Sequence, residues 1–219
     1  MTVNSDAAEV KPADPELTKD AIVAADIDVK ETDTAVPTPV EIKVDLSKED
    51  IEEGKDLTLV RYEKDENGNV IITKMGGTYD PATGVFTATI TEDGTYGVVA
   101  VADLLKIVLQ IDNHVAYIND VPNTNDVAPQ IVNDRTMVPL RLVAEAFGAS
   151  LAWNEPTKTV TIALNGQVLK LTVGQPIPGF DTPAQIVNDR TMVPIRYISE
   201  SFGADVTWVG ATETILIVK

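Results

Sequence analysis

The decamer "QIVNDRTMVP" occupies residues 130–139 and recurs, letter for letter, at 185–194. Ten identical residues 55 apart mean that either a chemical site or a small architectural unit was duplicated. Without a gap, 130–162 aligns with 185–217 at 19 identities in 33 positions. Whatever the second half folds into must therefore accommodate the same unit twice.

The retained residues have physical roles. Pro139 and Pro194 follow the strand-like "TMV", where a helix begins and proline's fixed φ and missing N–H are tolerated. In "PLRLVAEAFG" the apolar residues Leu140, Val143 and Phe147 fall at i, i+3 and i+7, and "PIRYISESFG" repeats this with Ile195, Ile198 and Phe202. Both stretches predict amphipathic helices of under three turns. Gly148 and Gly203 stand just past the last periodic residue, as a left-handed C-cap requires. Arg141–Glu145 and Arg196–Glu200 are i,i+4 pairs of opposite charge. Asn133-Asp134 and Asn188-Asp189 predict turns.

Upstream of each copy lies a hairpin. "IVLQIDNHVAYIND" turns at Asp112-Asn113 and "VTIALNGQVLKLTV" at Asn165-Gly166. The predicted unit is hairpin, loop, strand, helix and strand, spanning about 107–162 and 160–217.

Two residue types in this unit are candidates for binding. Trp153 and Trp208, the only tryptophans, each open the strand after a helix. There an indole serves either as a core anchor over the helix, the expected role, or as a sugar-stacking platform. Four of the five arginines, Arg135, Arg141, Arg190 and Arg196, form two clusters able to clamp a carboxylate or phosphate. Bracing the strand-to-helix corner through Asp134, Glu145 and backbone carbonyls accounts for them equally well and is the expected role. Tyr197 completes the set of possible ligand-binding residues.

The first half differs in composition. Residues 1–105 carry 23 acidic and 9 basic side chains, against 11 and 8 in 106–219, so most of the net charge of −17 lies there. The shift near 105 marks a domain boundary. Residues 1–20 predict a flexible or extended lead-in, and 21–104 a β-rich module. "AIVAADIDVKE" is a strand candidate, and "TDTAVPTP" a Pro-rich connector. "VEIKVDLS" alternates cleanly, with Val40, Ile42, Val44 and Leu46 on one face. Asn67-Gly68 joins two further strands, and Asp80-Pro81, Thr83-Gly84 and Asp93-Gly94 are turns. "KDENGN" has alternating oxygen side chains, yet an EF-hand loop wants Gly sixth and Glu twelfth, where this chain has Gly fourth and Gly76 twelfth. The hairpin turn is the better reading. The fold class is mainly β with α+β: an antiparallel β-sandwich-like module, then an α+β domain of two repeats.

Composition also excludes functions. The acidic surface opposes nucleic-acid binding. It suits solubility, divalent cations or a basic partner, with plain solvation the simplest. Without cysteine there are no disulfides or thiolate sites. No apolar run approaches the ~20 residues of a membrane span. The opening "MTVNSDAAEVKPADPE" has neither the basic nor the apolar region of a secretory signal, so an exported form would be a mature or excised chain with Met1 added. Asp50 with Glu52 or Glu53 is a charge run on a solvated face. No phosphate loop, metal motif or Ser/His arrangement occurs, and neither catalytic residues, metal ligands nor cofactors are expected.

"VNDRTMVPLRLVAEAFGASLAWNEPTKTVTI" and "VNDRTMVPIRYISESFGADVTWVGATETILI" resemble the copper amine oxidase N-terminal-like domain of Gram-positive surface proteins, over about 106–219. The second copy departs at "WVGATETILI". More loosely, the first half resembles β-rich modules of the same surface proteins. The resemblance implies a usually non-catalytic α+β module, in secreted or wall-associated proteins that often carry S-layer homology domains or polysaccharide hydrolases. Copper chemistry does not follow: an amine oxidase needs three histidines and a Tyr within Asn-Tyr-Asp/Glu. This chain has His114 alone, beside a turn, and no Tyr after an Asn.

Three functions are weighed. The first is a non-catalytic stalk, spacer or adhesion segment of a bacterial cell-surface or extracellular protein, partnered by envelope polysaccharide or a neighbouring surface protein. The second is a carbohydrate-binding module for cell-wall or plant polysaccharide. The third is self-assembly, in which the N-terminus or the last strand, "TETILIVK", exchanges with or adds to a neighbour's sheet.

Overall fold

A computed structural model describes residues 2–3, 8–29, 39–51 and 55–219. The Pro-rich connector, apart from Pro39, and Glu52 and Glu53 of the acidic run lie outside the described residues. The chain divides into two compact units, one built mainly on Met1–Leu104 and the other on Leu105–Trp208 with Glu213–Ile217 and Lys219.

Among the described residues, the first unit holds nine strands: β1 (Thr2–Val3), β2 (Ala8–Pro12), β3 (Val23–Val29), β4 (Val40–Asp45), β5 (Asp56–Lys64), β6 (Val70–Gly76), β7 (Thr78–Asp80), β8 (Val85–Ile90) and β9 (Gly94–Val101). They form two antiparallel sheets, ordered β1-β4-β8-β7 and β2-β3-β9-β5-β6. The period-2 pattern of β4 is realised as strict alternation of buried and exposed residues. Val40, Ile42 and Val44 of β4 share one core with Ile27, Leu59, Phe86 and Tyr96 from both sheets, which makes the unit a β-sandwich. Within the sequence's expected lead-in, Ala8–Pro12 pairs in register with Ala25–Val29. At the Asn67-Gly68 hairpin the Asp65 carboxylate accepts from the backbone N–H groups of Asn67 and Asn69 and from the Asn69 side chain. Those bonds, the Asn69 side chain foremost, lower its pKa. They also use the oxygens a cation would need.

The second unit continues with β10 (Lys106–Gln110), β11 (Val115–Ile118), β12 (Val121–Thr124), β13 (Gln130–Val132), β14 (Arg135–Pro139), α1 (Leu140–Ala146), β15 (Ser150–Asn154), β16 (Thr159–Leu164), β17 (Gln167–Thr172), β18 (Gln185–Val187), β19 (Arg190–Pro194), α2 (Ile195–Ser201), β20 (Asp205–Val209) and β21 (Thr214–Val218). The repeated decamer is a whole hairpin, β13–β14 or β18–β19, where the sequence suggested a loop and one strand. Both turn residues adopt positive φ, 50° and 58° in Asn133-Asp134 and 45° and 61° in Asn188-Asp189, the geometry of a type I′ turn.

Strands β14 and β19 pair antiparallel, with Val138 opposite Val193, Met137 opposite Pro194 and Pro139 opposite Met192. Val138 thus faces its own counterpart 55 residues away, and Met137 and Pro139 each face the counterpart of the other. This is a two-fold interface built within one chain. The order of this sheet, β13-β14-β19-β18, keeps the same symmetry.

Both helices are seven residues long and close with the same pair of bonds. Gly148 N–H donates to the Glu145 carbonyl and Ala149 N–H to that of Ala144, while Gly203 and Ala204 donate to Glu200 and Ser199. That bonding is the Schellman motif, and it needs the left-handed glycine (φ 78° and 72°) that the sequence supplies. Proline stands one place before each helix, as cap and last strand residue. Leu140, Val143, Ile195 and Ile198 are all buried, each contributing about 1.5–3 kcal/mol. Phe147 and Phe202 meet across the helix pair with ring centroids 5.6 Å apart.

The repeats differ in how their outer sheets are completed. In the first, β16 is flanked by β15 and β17. In the second, β21 is flanked by β20 and by β10, the unit's first strand, in the order β12-β11-β10-β21-β20. Leu105 and Lys219 exchange backbone hydrogen bonds of 3.0 and 2.9 Å. The last strand is therefore interior, and adding it to a neighbour's sheet, one route weighed for self-assembly, is closed because both its edges are paired.

Candidate functional site

The cross-repeat sheet decides where the arginines go. Arg135 opens β14, and its guanidinium forks onto Asp181, Nε to Oδ1 at 3.0 Å and Nη2 to Oδ2 at 3.1 Å. Arg190, the equivalent residue of β19, pairs with Asp126. Asp126 and Asp181 are themselves 55 apart, so each hairpin reaches into the loop of the other repeat. Arg135 and Arg190 also donate to the carbonyls of Asp134 and Asp189. The braces expected at the strand-to-helix corner in fact tie the two repeats together. Arg141 pairs with Glu145 at 3.1 Å as its i,i+4 spacing predicts. No ion pair forms between Arg196 and Glu200 among the described residues.

Neither tryptophan is a core anchor. Trp153 is 43% and Trp208 37% exposed. Trp153 shares a face of β15 with the partly covered Leu151 and pairs across to the buried Val160, but it stands one residue from the end of the strand and its indole lies open. Trp153 is also held in place. Its indole N–H donates to Glu155 Oε2 at 2.6 Å, and Glu155 pairs in turn with Lys158. The hydrogen bond from Lys158, then the one from Trp153, lower the Glu155 pKa below its ordinary 4.5.

Beside this indole lies a groove of about 700 Å³, within the size range of ligand sites. Leu140, Leu151 and Val160 give it an apolar floor, and Ile186, a 44% exposed residue of the second hairpin, gives it an apolar wall. Arg141, Lys158 and Arg190 stand on its rim with Glu155 and Asp189. A second concavity of about 480 Å³ shares Pro139, Arg141 and Arg190 with the first and is lined by Asn123 and Asn125.

Of the seven residues singled out in the sequence, this groove gathers Arg141, Trp153 and Arg190. Arg135, Arg196, Trp208 and Tyr197 do not line it. Tyr197 is half-buried, its ring edge-on to Phe180 at 5.5 Å, and burial raises its pKa. Sequence reasoning missed Glu155, Lys158 and Ile186. The turn "NEPTK" directly after Trp153 was a signal for the first two; the exposure of Ile186 had none, because its strand partner lies in the same hairpin while the groove it borders belongs to the other repeat.

What this arrangement offers chemically is apolar contact and hydrogen bonding. His114 is exposed, its Nδ1 2.8 Å from the Asn125 carbonyl oxygen. No group of three or more His, Cys, Asp or Glu is placed to hold a metal ion among the described residues. No helix is long and apolar enough to cross a membrane among the described residues.

Against this geometry, one family model matches the chain, the copper amine oxidase N-terminal domain, twice, over residues 69–162 and 117–217. The two matches overlap and together take in more than half of the chain. No curated protein and no solved structure matches it.

Proposed function

The chain belongs to the copper amine oxidase N-terminal domain family, and on that footing we propose that it is a structural and adhesion segment, a stalk or spacer, of a bacterial cell-surface or extracellular protein. The domain is the non-catalytic N-terminal module of copper amine oxidases. One observation carries the reading. The residues identical in the two repeats serve to close the module on itself, through the β14–β19 register and the crossed Arg135–Asp181 and Arg190–Asp126 pairs. Duplication of an active site would instead have repeated a nucleophile with its base.

Two measurements test this. The purified chain is expected to turn over nothing in broad hydrolase and amine oxidase screens, and robust turnover would overturn the non-catalytic role. In fractionated cells the protein is expected in the wall or medium, and recovery from the cytosol alone would overturn the location.

A second reading, a carbohydrate-binding module, is favoured by the exposed and braced indole of Trp153 in its groove. The partner it implies is an envelope or plant polysaccharide. Self-assembly lacks comparable support, since the last strand lies inside a sheet.

A further inference from the structure

We propose that the groove at Trp153 binds a neutral polysaccharide chain, one pyranose ring stacking on the indole while its hydroxyls bond the charged pairs on the rim. The inference rests on the adhesion reading and names the class of ligand through which adhesion occurs.

A pyranose has an apolar C–H face and a hydroxyl-bearing edge. The groove has the matching halves: a broad aromatic surface continued by Leu151 and Ile186, and charged side chains around it. The indole is preorganised, because the bond to Glu155 fixes the ring. The indole N–H is thereby occupied, which leaves the ring itself as the feature on offer.

Charge selects against an ionic ligand. Every cation on the rim already has a carboxylate: Arg141 has Glu145, Lys158 has Glu155, and Arg190 has Asp126. A phosphate or uronate would have to displace one of them. A polyol displaces none, because guanidinium and ammonium groups keep N–H donors to spare and carboxylates keep lone pairs. The second concavity extends the surface past Arg141 and Arg190, with their paired Glu145 and Asp126, to the amides of Asn123 and Asn125, which are neutral donors and acceptors. A surface continued in this way fits a chain better than a single sugar.

The second repeat sharpens the assignment. Trp208 stands at the position equivalent to Trp153, but Gly210 and Glu213 replace Glu155 and Lys158. Gly210 has no carboxylate to hold that indole as Glu155 holds Trp153, so binding is assigned to the first repeat alone.

The test is affinity electrophoresis of the full chain through gels cast with hydroxyethylcellulose, mixed-linkage β-glucan, galactomannan or polygalacturonate. At least one of the three neutral glycans should retard the chain and polygalacturonate should not. Trp153→Ala should weaken retardation about tenfold or more, Trp153→Phe should keep most of it, and Trp208→Ala should leave it unchanged. In Trp208→Ala the tryptophan emission, excited selectively over tyrosine, comes from Trp153 alone and should shift when the retarding glycan is added. Loss of binding in Trp153→Ala with unaltered circular dichroism supports the site. The proposal fails if no neutral glycan retards the chain, if polygalacturonate alone does, or if Trp153→Ala and Trp208→Ala behave alike. Should it fail while the enzyme screens stay blank and the protein fractionates with the wall, the groove assignment falls and the structural reading stands.

Discussion

Around Trp153 the first repeat sets Glu155 and Lys158, and around Trp208 the second sets Gly210 and Glu213, on turns whose backbones agree closely. Lys158 and Glu213 even share a left-handed φ of 51°. The same contrast holds along the whole unit. Turns, helix caps, the residues at the Val138–Val193 axis and the crossed Arg–Asp pairs are common to both copies. The rim of the groove, the residue facing Phe180, and the strand β12, whose counterpart region has only an Ile177–Phe180 bridge, are not. A skeleton that must mate with its own copy tolerates little change, because each altered residue disturbs both sides of the interface. Rims that face solvent are released from that constraint, and there the copies diverge.

The comparison breaks first, if it breaks, in the core. Phe147→Ala and Phe202→Ala should each cost about 3–5 kcal/mol in urea unfolding. Their rings touch, so the double variant should cost less than the sum. Equal costs would confirm that the two halves carry equal weight. A marked excess at Phe147 would assign weight to Lys219, whose ammonium lies 5.5 Å from that ring.

A smaller effect sharpens the comparison at Ser199, which occupies the place of Ala144. Its fully buried hydroxyl has no hydrogen-bond partner among the described residues. Ser199→Ala should therefore stabilise the second unit by about 1 kcal/mol, read as a higher urea midpoint. A loss of stability would show that the hydroxyl is satisfied.

The smallest effect separates the two indoles by pH. Glu155 has a lowered folded pKa, so its pairing is intact above the unfolded value near 4.5 and is lost as pH falls through the folded value below it. In ¹⁵N spectra the indole N–H of Trp153 should shift over that acidic range while that of Trp208 stays put. Concerted movement of both would mean global acid unfolding instead.

Much of the fold was legible locally. The alternation of Val40, Ile42 and Val44, the apolar spacing of Leu140, Val143 and Phe147, and the glycines at 148 and 203 each encode an element through neighbours a few residues away. The candidate site was legible in part. Arg141, Trp153 and Arg190 were singled out, but the tryptophans were expected inside. Trp153 and Trp208 are each the fourth of five strand residues, and an indole there reads as core unless one knows where along the strand the packing of the module ends. Asp126 and Asp181, like Arg135 and Arg190, keep the 55-residue spacing, but nothing in that spacing says that each arginine pairs with the aspartate of the other repeat, 46 and 64 residues away.

The sequence by itself determined that a hairpin, a two-turn helix and a strand would form twice, because turns, caps and amphipathic spacing act within one turn or one strand pair. Only the tertiary structure decided that β14 would find β19, that β10 would close the sheet on β21, and that one indole would stand braced at the edge of a groove. Those outcomes depend on contacts between residues tens of positions apart, whose geometry is set by packing and not by any local preference.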